Sequence, residues 1–219
     1  MIFLPFSIIL LVFLILLLPL FFVLLQIEII RLALSKLGLS PQFAFFVFFI
    51  SLIGSLINIP IYTRQAIMPY SGRPVFNMFG YGSMPTIDMT QQVVAINLGG
   101  CIIPLLLCIY LFPKAPPLPV FFSTVITTLA CFHLSRIVPG TGIVIPTFIP
   151  PLLAVALAYI FSPGNKIPVA YISGVLGVLI GADILNLPYI GRYPGVISIG
   201  GAGVFDGIFL VGIISALLA

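Results

Sequence analysis

Two carboxylic acids stand in the most apolar part of this 219-residue chain. Asp183 lies in Gly181-Ala182-Asp183 and Asp206 in Gly201-Ala202-Gly203-Val204-Phe205-Asp206-Gly207, with a Tyr/Pro/Gly-rich turn between them. A lone acid in an apolar segment costs roughly 3 kcal/mol on insertion scales, so each is expected to face protein rather than lipid. Brought close together, two such carboxyls share a proton and can activate water for peptide hydrolysis. The same acids with His133 also suit a proton- or cation-coupled transport site beside broken helices. A third arrangement does no chemistry: Arg136 neutralises one Asp in a buried pair that fixes packing. The residues leave these three open. The one carried forward is an intramembrane aspartyl hydrolase with Asp183 and Asp206 as its dyad, His133 and Arg136 tuning the site, and a transmembrane peptide as substrate. In the transport alternative the partner is a small ion.

The elements that must position these residues are membrane spans. Hydrophobic residues make up 62% and charged residues 5% of the chain, and its mean hydropathy is +1.37, which leaves too little polar surface for a water-soluble globule. The expected fold is all-α, a single polytopic transmembrane bundle of about seven spans in the cell membrane. The net charge of +4 comes from scattered Lys and Arg, with no run dense enough for nucleic acid. Cys101, Cys108 and Cys131 lie in apolar segments at spacings that suggest neither disulfide nor zinc, and nothing points to a cofactor.

In chain order, residues 1–26 form an apolar run long enough to cross a core of about 30 Å. It lacks a basic n-region and an Ala-x-Ala site, so it is expected to remain as a span. Glu28, Arg31 and Lys36 then suit a short interfacial helix, completing a peripheral unit over residues 1–40. Span two covers about 42–59. The connection that follows, to about residue 90, is rich in Pro, Gly and aromatic residues and suits the interface, with a hairpin as one form. Asp88 with Gln91 matches a capping box for span three, about 92–112. Span four, about 120–138, carries His133 and Arg136 three apart on one helical face. Pro146, Pro150 and Pro151 suggest a re-entrant or kinked start to span five. Spans six and seven cover about 168–187 and 200–219.

With seven spans, Asn97, His133, Arg136, Asp183, Asn186 and Asp206 all fall toward one face of the membrane. Gly177 and Gly181 form a small-residue surface roughly 160 to 240° around the helix from Asp183, free to pack a neighbour closely. Gly200, Gly201, Gly203 and Gly207 leave the backbone near Asp206 easily bent. No strand, helix and ribose-binding acid are expected around this Gly-x-Gly, so it does not suggest a dinucleotide site.

Two stretches look duplicated. Leu52-Ile53-Gly54-Ser55-Leu56-Ile57-Asn58-Ile59-Pro60, with Arg64 following, aligns with Leu179-Ile180-Gly181-Ala182-Asp183-Ile184-Leu185-Asn186-Leu187-Pro188, with Arg192 following, if one residue is inserted beside Asp183. Then Val94-Ala95-Ile96-Asn97 aligns with Ile197-Ser198-Ile199-Gly200. This implies a parallel repeat, residues 41–112 and 168–219, of which only the second carries the acids. Basic residues divide evenly between the two sides. Discounting Arg136 as buried puts the N-terminus outside and the C-terminus in the cytoplasm.

Pro139-Gly140-Thr141-Gly142-Ile143, Gly181-Ala182-Asp183 and residues 198–210 resemble an archaeal and bacterial family of multi-spanning membrane proteins known as a domain of unknown function. The resemblance covers about residues 50–219 and implies a prokaryotic membrane without implying an activity. Spans six and seven also resemble the presenilin and prepilin-peptidase type of intramembrane aspartyl protease. The likeness rests on paired aspartates in neighbouring spans, the second after Gly-x-Gly, although Val204 and Phe205 intervene here and the presenilin Pro-Ala-Leu motif is absent. It implies the same two catalytic residues, Asp183 and Asp206.

Overall fold

The structure is a computed structural model that describes residues 6–66, 74–77, 80–83, 91–138, 142–191, 195–201 and 207–219. Its helices are α1 (Phe6–Lys36), α2 (Pro41–Gly54), α3 (Ile103–Leu111), α4 (Pro117–Leu134), α5 (Ile149–Phe161), α6 (Lys166–Val178) and α7 (Gly207–Leu218). Its strands are β1 (Asn58–Gln65), β2 (Pro74–Asn77), β3 (Gly80–Ser83), β4 (Gln91–Asn97), β5 (Arg136–Val138), β6 (Gly142–Val144) and β7 (Gly195–Ile199). The fold is therefore mainly helical but not all-α.

Three helices are long and apolar enough to cross a membrane, over Leu11–Lys36, Pro117–Leu134 and Lys166–Tyr189. The apolar helices over Pro41–Gly54, Leu98–Lys114, Ile149–Phe161 and Gly207–Leu218 are shorter. At 1.5 Å per residue, a 14-residue helix reaches only about 21 Å against a hydrocarbon core of about 30 Å. Several of the expected spans are thus a short helix preceded or followed by strand or irregular backbone.

α1 is one continuous helix of 31 residues, which corrects the expected break between a span and an interfacial helix. No Gly falls between Phe6 and Lys36, and Pro19 lies inside the helix without ending it. Termination comes at Gly38, whose φ of +81° is open to glycine without a Cβ penalty, as the Leu37 and Gly38 amides bond back to Leu34 and Ser35. The middle of α1 is exposed, whereas Ile30, Ala33, Leu34 and Leu37 are buried where it meets α2 and α7. α2 starts at Ser40, whose hydroxyl accepts from the Phe43 amide at 3.3 Å, with Pro41 in the first turn.

The expected helix from Gln92 begins instead as a strand. Gln91-Gln92-Val93-Val94-Ala95-Ile96-Asn97 forms β4, and a buried apolar strand cannot be told from a buried helix by periodicity alone. Helix starts only at Asn97, whose carboxamide caps a π-helical turn, Leu98–Ile102, that leads into α3. Asp88 lies outside the described residues, and Gln91, its expected capping-box partner, opens β4. β4 is the centre of a three-stranded sheet, antiparallel to β1 and parallel to β7. The β1 register shifts between Pro60 and Tyr62, leaving Ile61 as a bulge beside a proline that has no N–H to give the ladder. β4 and β7 set Val94 opposite Ile197, Ala95 opposite Ser198 and Ile96 opposite Ile199, the same residues that the two similar stretches align.

α4 ends at Leu134, so Arg136 stands in β5 rather than one turn beyond His133 on a shared helical face. β5 and β6 form a hairpin, and Pro150 and Pro151 follow in the first turn of α5, where a missing N–H is tolerated. α6 is the central helix. It contacts α3, α4, α5 and α7, and from Val169 to Val178 only Leu176 is not fully buried. Its glycines admit the neighbours: a Cβ on Gly177 would sit 2.5 Å from Thr127 Cγ2, and one on Gly181 2.3 Å from the Thr128 carbonyl oxygen. The expected small-residue surface thus receives α4.

The lysines mark one end of the bundle and give the direction of each helix. Lys36, Lys114 and Lys166, at the ends of α1 and α3 and the start of α6, line one cavity, and Lys36 reaches the Leu217 carbonyl near the end of α7. α6 therefore runs opposite to α3 and α7. The end of α6, the start of α7 and the three-stranded sheet lie together at the other end of the bundle.

Candidate functional site

At that sheet-bearing end, α6 does not stop but widens into a π-helical turn, Leu179–Ile184, which contains Asp183. Its signature is the Leu185 amide bonding five residues back to the Ile180 carbonyl at 2.9 Å. At the corresponding end of α2 the amides of Ser55, Leu56 and Ile57 bond three or four residues back. The residue that must be inserted to align the two stretches is thus accommodated as one widened turn. Gly181 and Ala182 are buried against α4, and Asp183 is half-buried beyond them.

Asn186 holds this turn in place. Its buried carboxamide donates to the Gly181 carbonyl at 2.9 Å and to the Ser135 hydroxyl at 2.8 Å, joining the end of α6 to the cap of α4. Asn97 does comparable work on the sheet side and is fully buried. Its Nδ2 donates to the Ser55 carbonyl at 2.7 Å and to Asn58 Oδ1 at 3.0 Å, while its Oδ1 accepts from the Gly100 amide at 2.8 Å. Ser198 on β7 donates to the same Asn58 oxygen at 2.6 Å. Gly201, with φ of +158°, lies against Asn97, since a Cβ there would be 3.1 Å from the Asn97 Cγ. Asn97, Asn186 and Gly201 are therefore brought to one end, and the bonds of the two asparagines are those of scaffold residues.

His133 and Arg136 are at this end too, but both are exposed on the chain's surface, so the burial used to discount Arg136 in the charge count does not hold. Gly207 opens α7 in nearly free space, with Ile145 Cγ2 the nearest atom to a Cβ placed there, at 4.0 Å. Asp206 and Gly203 lie outside the described residues. A strand, β7, does precede the Gly-x-Gly, correcting the sequence expectation, but Asp206 occupies the place of the third glycine in a dinucleotide fingerprint. Among the described residues no three His, Cys, Asp or Glu side chains come together to hold a metal.

Sequence patterns missed a second polar cluster. Arg64 on β1 donates through Nε to Gln92 Oε1 and through a terminal nitrogen to the Ile190 carbonyl at 3.0 Å, and Gln92 Nε2 donates to the Gly191 carbonyl at 3.0 Å. These bonds fix the segment between the π-turn and β7. The available signal was Gln91-Gln92 at the edge of an apolar run, and the structure buries Gln92 to 1% exposure.

Fold and site together define a mainly helical protein with membrane-length apolar helices and a mixed sheet at one end. The chain belongs to a family described as "Protein of unknown function (DUF1614)", which matches residues 52–218, from the last turn of α2 to the end of α7. No curated protein and no solved structure matches it.

Proposed function

We propose that the protein is a multi-pass membrane hydrolase that cleaves peptide bonds with Asp183 and Asp206. One observation supports this above others: Asp183 occupies a widened, half-buried turn at the end of α6, at the same end from which α7 starts one residue after Asp206. One carboxylate takes a proton from water as the oxygen attacks the peptide carbonyl. The other, protonated, gives its proton to the carbonyl oxygen, and collapse expels the amine, which leaves with a proton from the first acid. Asn186 and Asn97 hold the turn and the sheet, while His133 and Arg136 stand at the exposed rim and tune the charge there. The substrate is a transmembrane peptide.

The test uses the purified full chain in liposomes with a panel of transmembrane peptides, products being read by mass spectrometry. Cleavage by the native chain, lost in both Asp183→Asn and Asp206→Asn, is the expected result. Cleavage that survives either substitution removes the dyad. In a background with Cys101, Cys108 and Cys131 changed to Ala, Asp183→Cys and Asp206→Cys should also form a disulfide, which needs Cα atoms within about 7 Å.

A second reading, proton- or cation-coupled transport, is favoured by a different observation. The hydroxyls of Ser123, Thr124 and Thr127 on α4 and Ser215 on α7 are buried without a hydrogen-bond partner. Oxygens so placed suit a hydrated or ion-bearing path through the bundle. Flux in proteoliposomes that falls in Thr127→Val, with no peptide cleavage by the native chain, would select it.

Two further inferences belong to either reading. The register of β4 on β7 and the π-turn at the inserted residue support an internal duplication. The second is orientation: we place the lysine-bearing end, with the end of α7, in the cytoplasm of a prokaryotic cell and the start of α1 outside, although with Arg136 exposed the basic residues divide evenly between the two sides.

A further inference from the structure

The end of the bundle opposite Asp183 holds a cavity of about 290 Å³. Lys36, Gly38, Leu111, Lys114, Asn165 and Lys166 are among its lining residues, and no carboxylate is. Three ammonium groups around one space repel unless an anion lies between them. Each is nonetheless held in place. Lys36 donates to the Leu217 carbonyl at 2.6 Å, Lys166 donates to the Tyr159 hydroxyl at 2.7 Å, and Lys114 lies 3.8 Å from the centre of the Tyr110 ring. Lys114 also covers Gly38, where a Cβ would be 3.5 Å from its Nζ. An ammonium has three N–H donors, so these contacts leave donors for a ligand in every case.

Lys166 adds an independent observation. It is the first residue of α6, where the helix dipole disfavours a cation, and the first turn contains no acid to offset it. Asn165, at the N-cap, makes no side-chain capping bond, so the amides of Lys166 and Ile167 keep their capacity to donate. Uncapped amides and three cations converging on one cavity are what an oxyanion requires.

We propose that this cavity binds a phosphate-bearing anion, with the headgroup of an anionic phospholipid or a free phosphate as the source. The site is independent of the proposed dyad, and its failure would leave the hydrolase reading untouched. Phe112 and Leu118, two residues before and four after Lys114 in the chain, are exposed apolar side chains available to acyl chains.

The test titrates the purified full chain, in a zwitterionic detergent at low salt, with dioleoyl phosphatidylglycerol, dioleoyl phosphatidylcholine and inorganic phosphate, reading bound species by native mass spectrometry and melting temperature. Phosphatidylglycerol should bind more tightly than phosphatidylcholine. Lys114→Gln should weaken it about fivefold, and Lys36→Gln/Lys114→Gln/Lys166→Gln about a hundredfold, while Lys114→Arg stays near the native value. Displacement of the lipid by millimolar phosphate would support a free anion as the source, and its absence would support the lipid. Equal binding of the two lipids with no binding of phosphate, or equal binding of phosphatidylglycerol and of phosphate by the native chain and the triple variant, overturns the proposal. If the triple variant does not fold, Lys114→Gln decides alone, since that ammonium rests on a ring rather than on backbone.

Discussion

Asn97→Ala removes the most completely engaged polar side chain at the sheet end. The native carboxamide is 0% exposed and makes bonds of 2.7, 3.0 and 2.8 Å. Of the partners left behind, Asn58 is exposed and recovers water, whereas the Ser55 carbonyl and the Gly100 amide are enclosed between α2 and the π-turn before α3. Each buried orphan costs roughly 1 to 3 kcal/mol, so the loss should be about 3 kcal/mol. Asn97→Asp should be no better: it keeps the acceptor for Gly100 but sets an oxygen against the Ser55 carbonyl. Asn58→Ala should cost less than about 1 kcal/mol, since water replaces the lost partner. The assay is SDS titration of the purified protein in mixed micelles followed by circular dichroism. An Asn97→Ala midpoint within about 0.5 kcal/mol of native would refute the reasoning, because changes that small are ordinary for surface positions.

Gly99→Ala should be severely destabilising, because its Cβ would lie 2.0 Å from the Ser51 carbonyl oxygen and 2.4 Å from the Ser55 nitrogen, both backbone. Gly164→Ala, with nothing within 4 Å, should change the thermal midpoint little, and similar midpoints for the two would count against the close α2 crossing. Gln92→Leu keeps the side chain's bulk but strands the Gly191 carbonyl and one bond of Arg64, at a cost of about 2 kcal/mol. It should also speed proteolysis near residues 190–191 without unfolding α6, and an unchanged cleavage pattern would show that this clamp is idle.

Much of the helical framework was legible because long apolar runs and caps act locally. Ser40-Pro41 starts α2 as such pairs do, and Gly177 and Gly181 mark a close helix crossing that α4 fills. What escaped is non-local. Nothing within residues 91–97 says strand rather than helix; β1 and β7 supply the partners from 26 or more residues away in sequence. The apolar pattern of α4 continues past Leu134 and so assigns Arg136 to the helix, whereas Ser135 turns extended at ψ of 143° and ends it. The polar bonds were visible only as residue types. Asn97, Asn186 and Gln92 stood out as polar groups in apolar sequence, but their partners are backbone carbonyls, which carry no sequence signal.

The inserted residue beside Asp183 and the pairing of β4 with β7 bear on one question, whether two copies of one unit lie side by side. Paired strands have Cα atoms about 4.8 Å apart, and paired residues point to the same face, so a one-residue shift reverses every side chain. In a background with Cys101, Cys108 and Cys131 replaced by Ala, Ala95→Cys with Ser198→Cys should therefore bridge on mild oxidation. Ala95→Cys with Ile197→Cys, equally close along the strand but on opposite faces, should not. A helical start to span three would place residue 95 one turn from residue 98 and give no such discrimination. Bridging in the first pair alone would fix the register that equates Ala95 with Ser198, and with it the correspondence of Asn97 to Gly200. The first copy would then bury an amide scaffold where the second has a glycine with φ of +77° leading toward Asp206. In that arrangement the asparagine and the extra residue of the π-turn are the two local differences that separate a structural copy from an acid-bearing one.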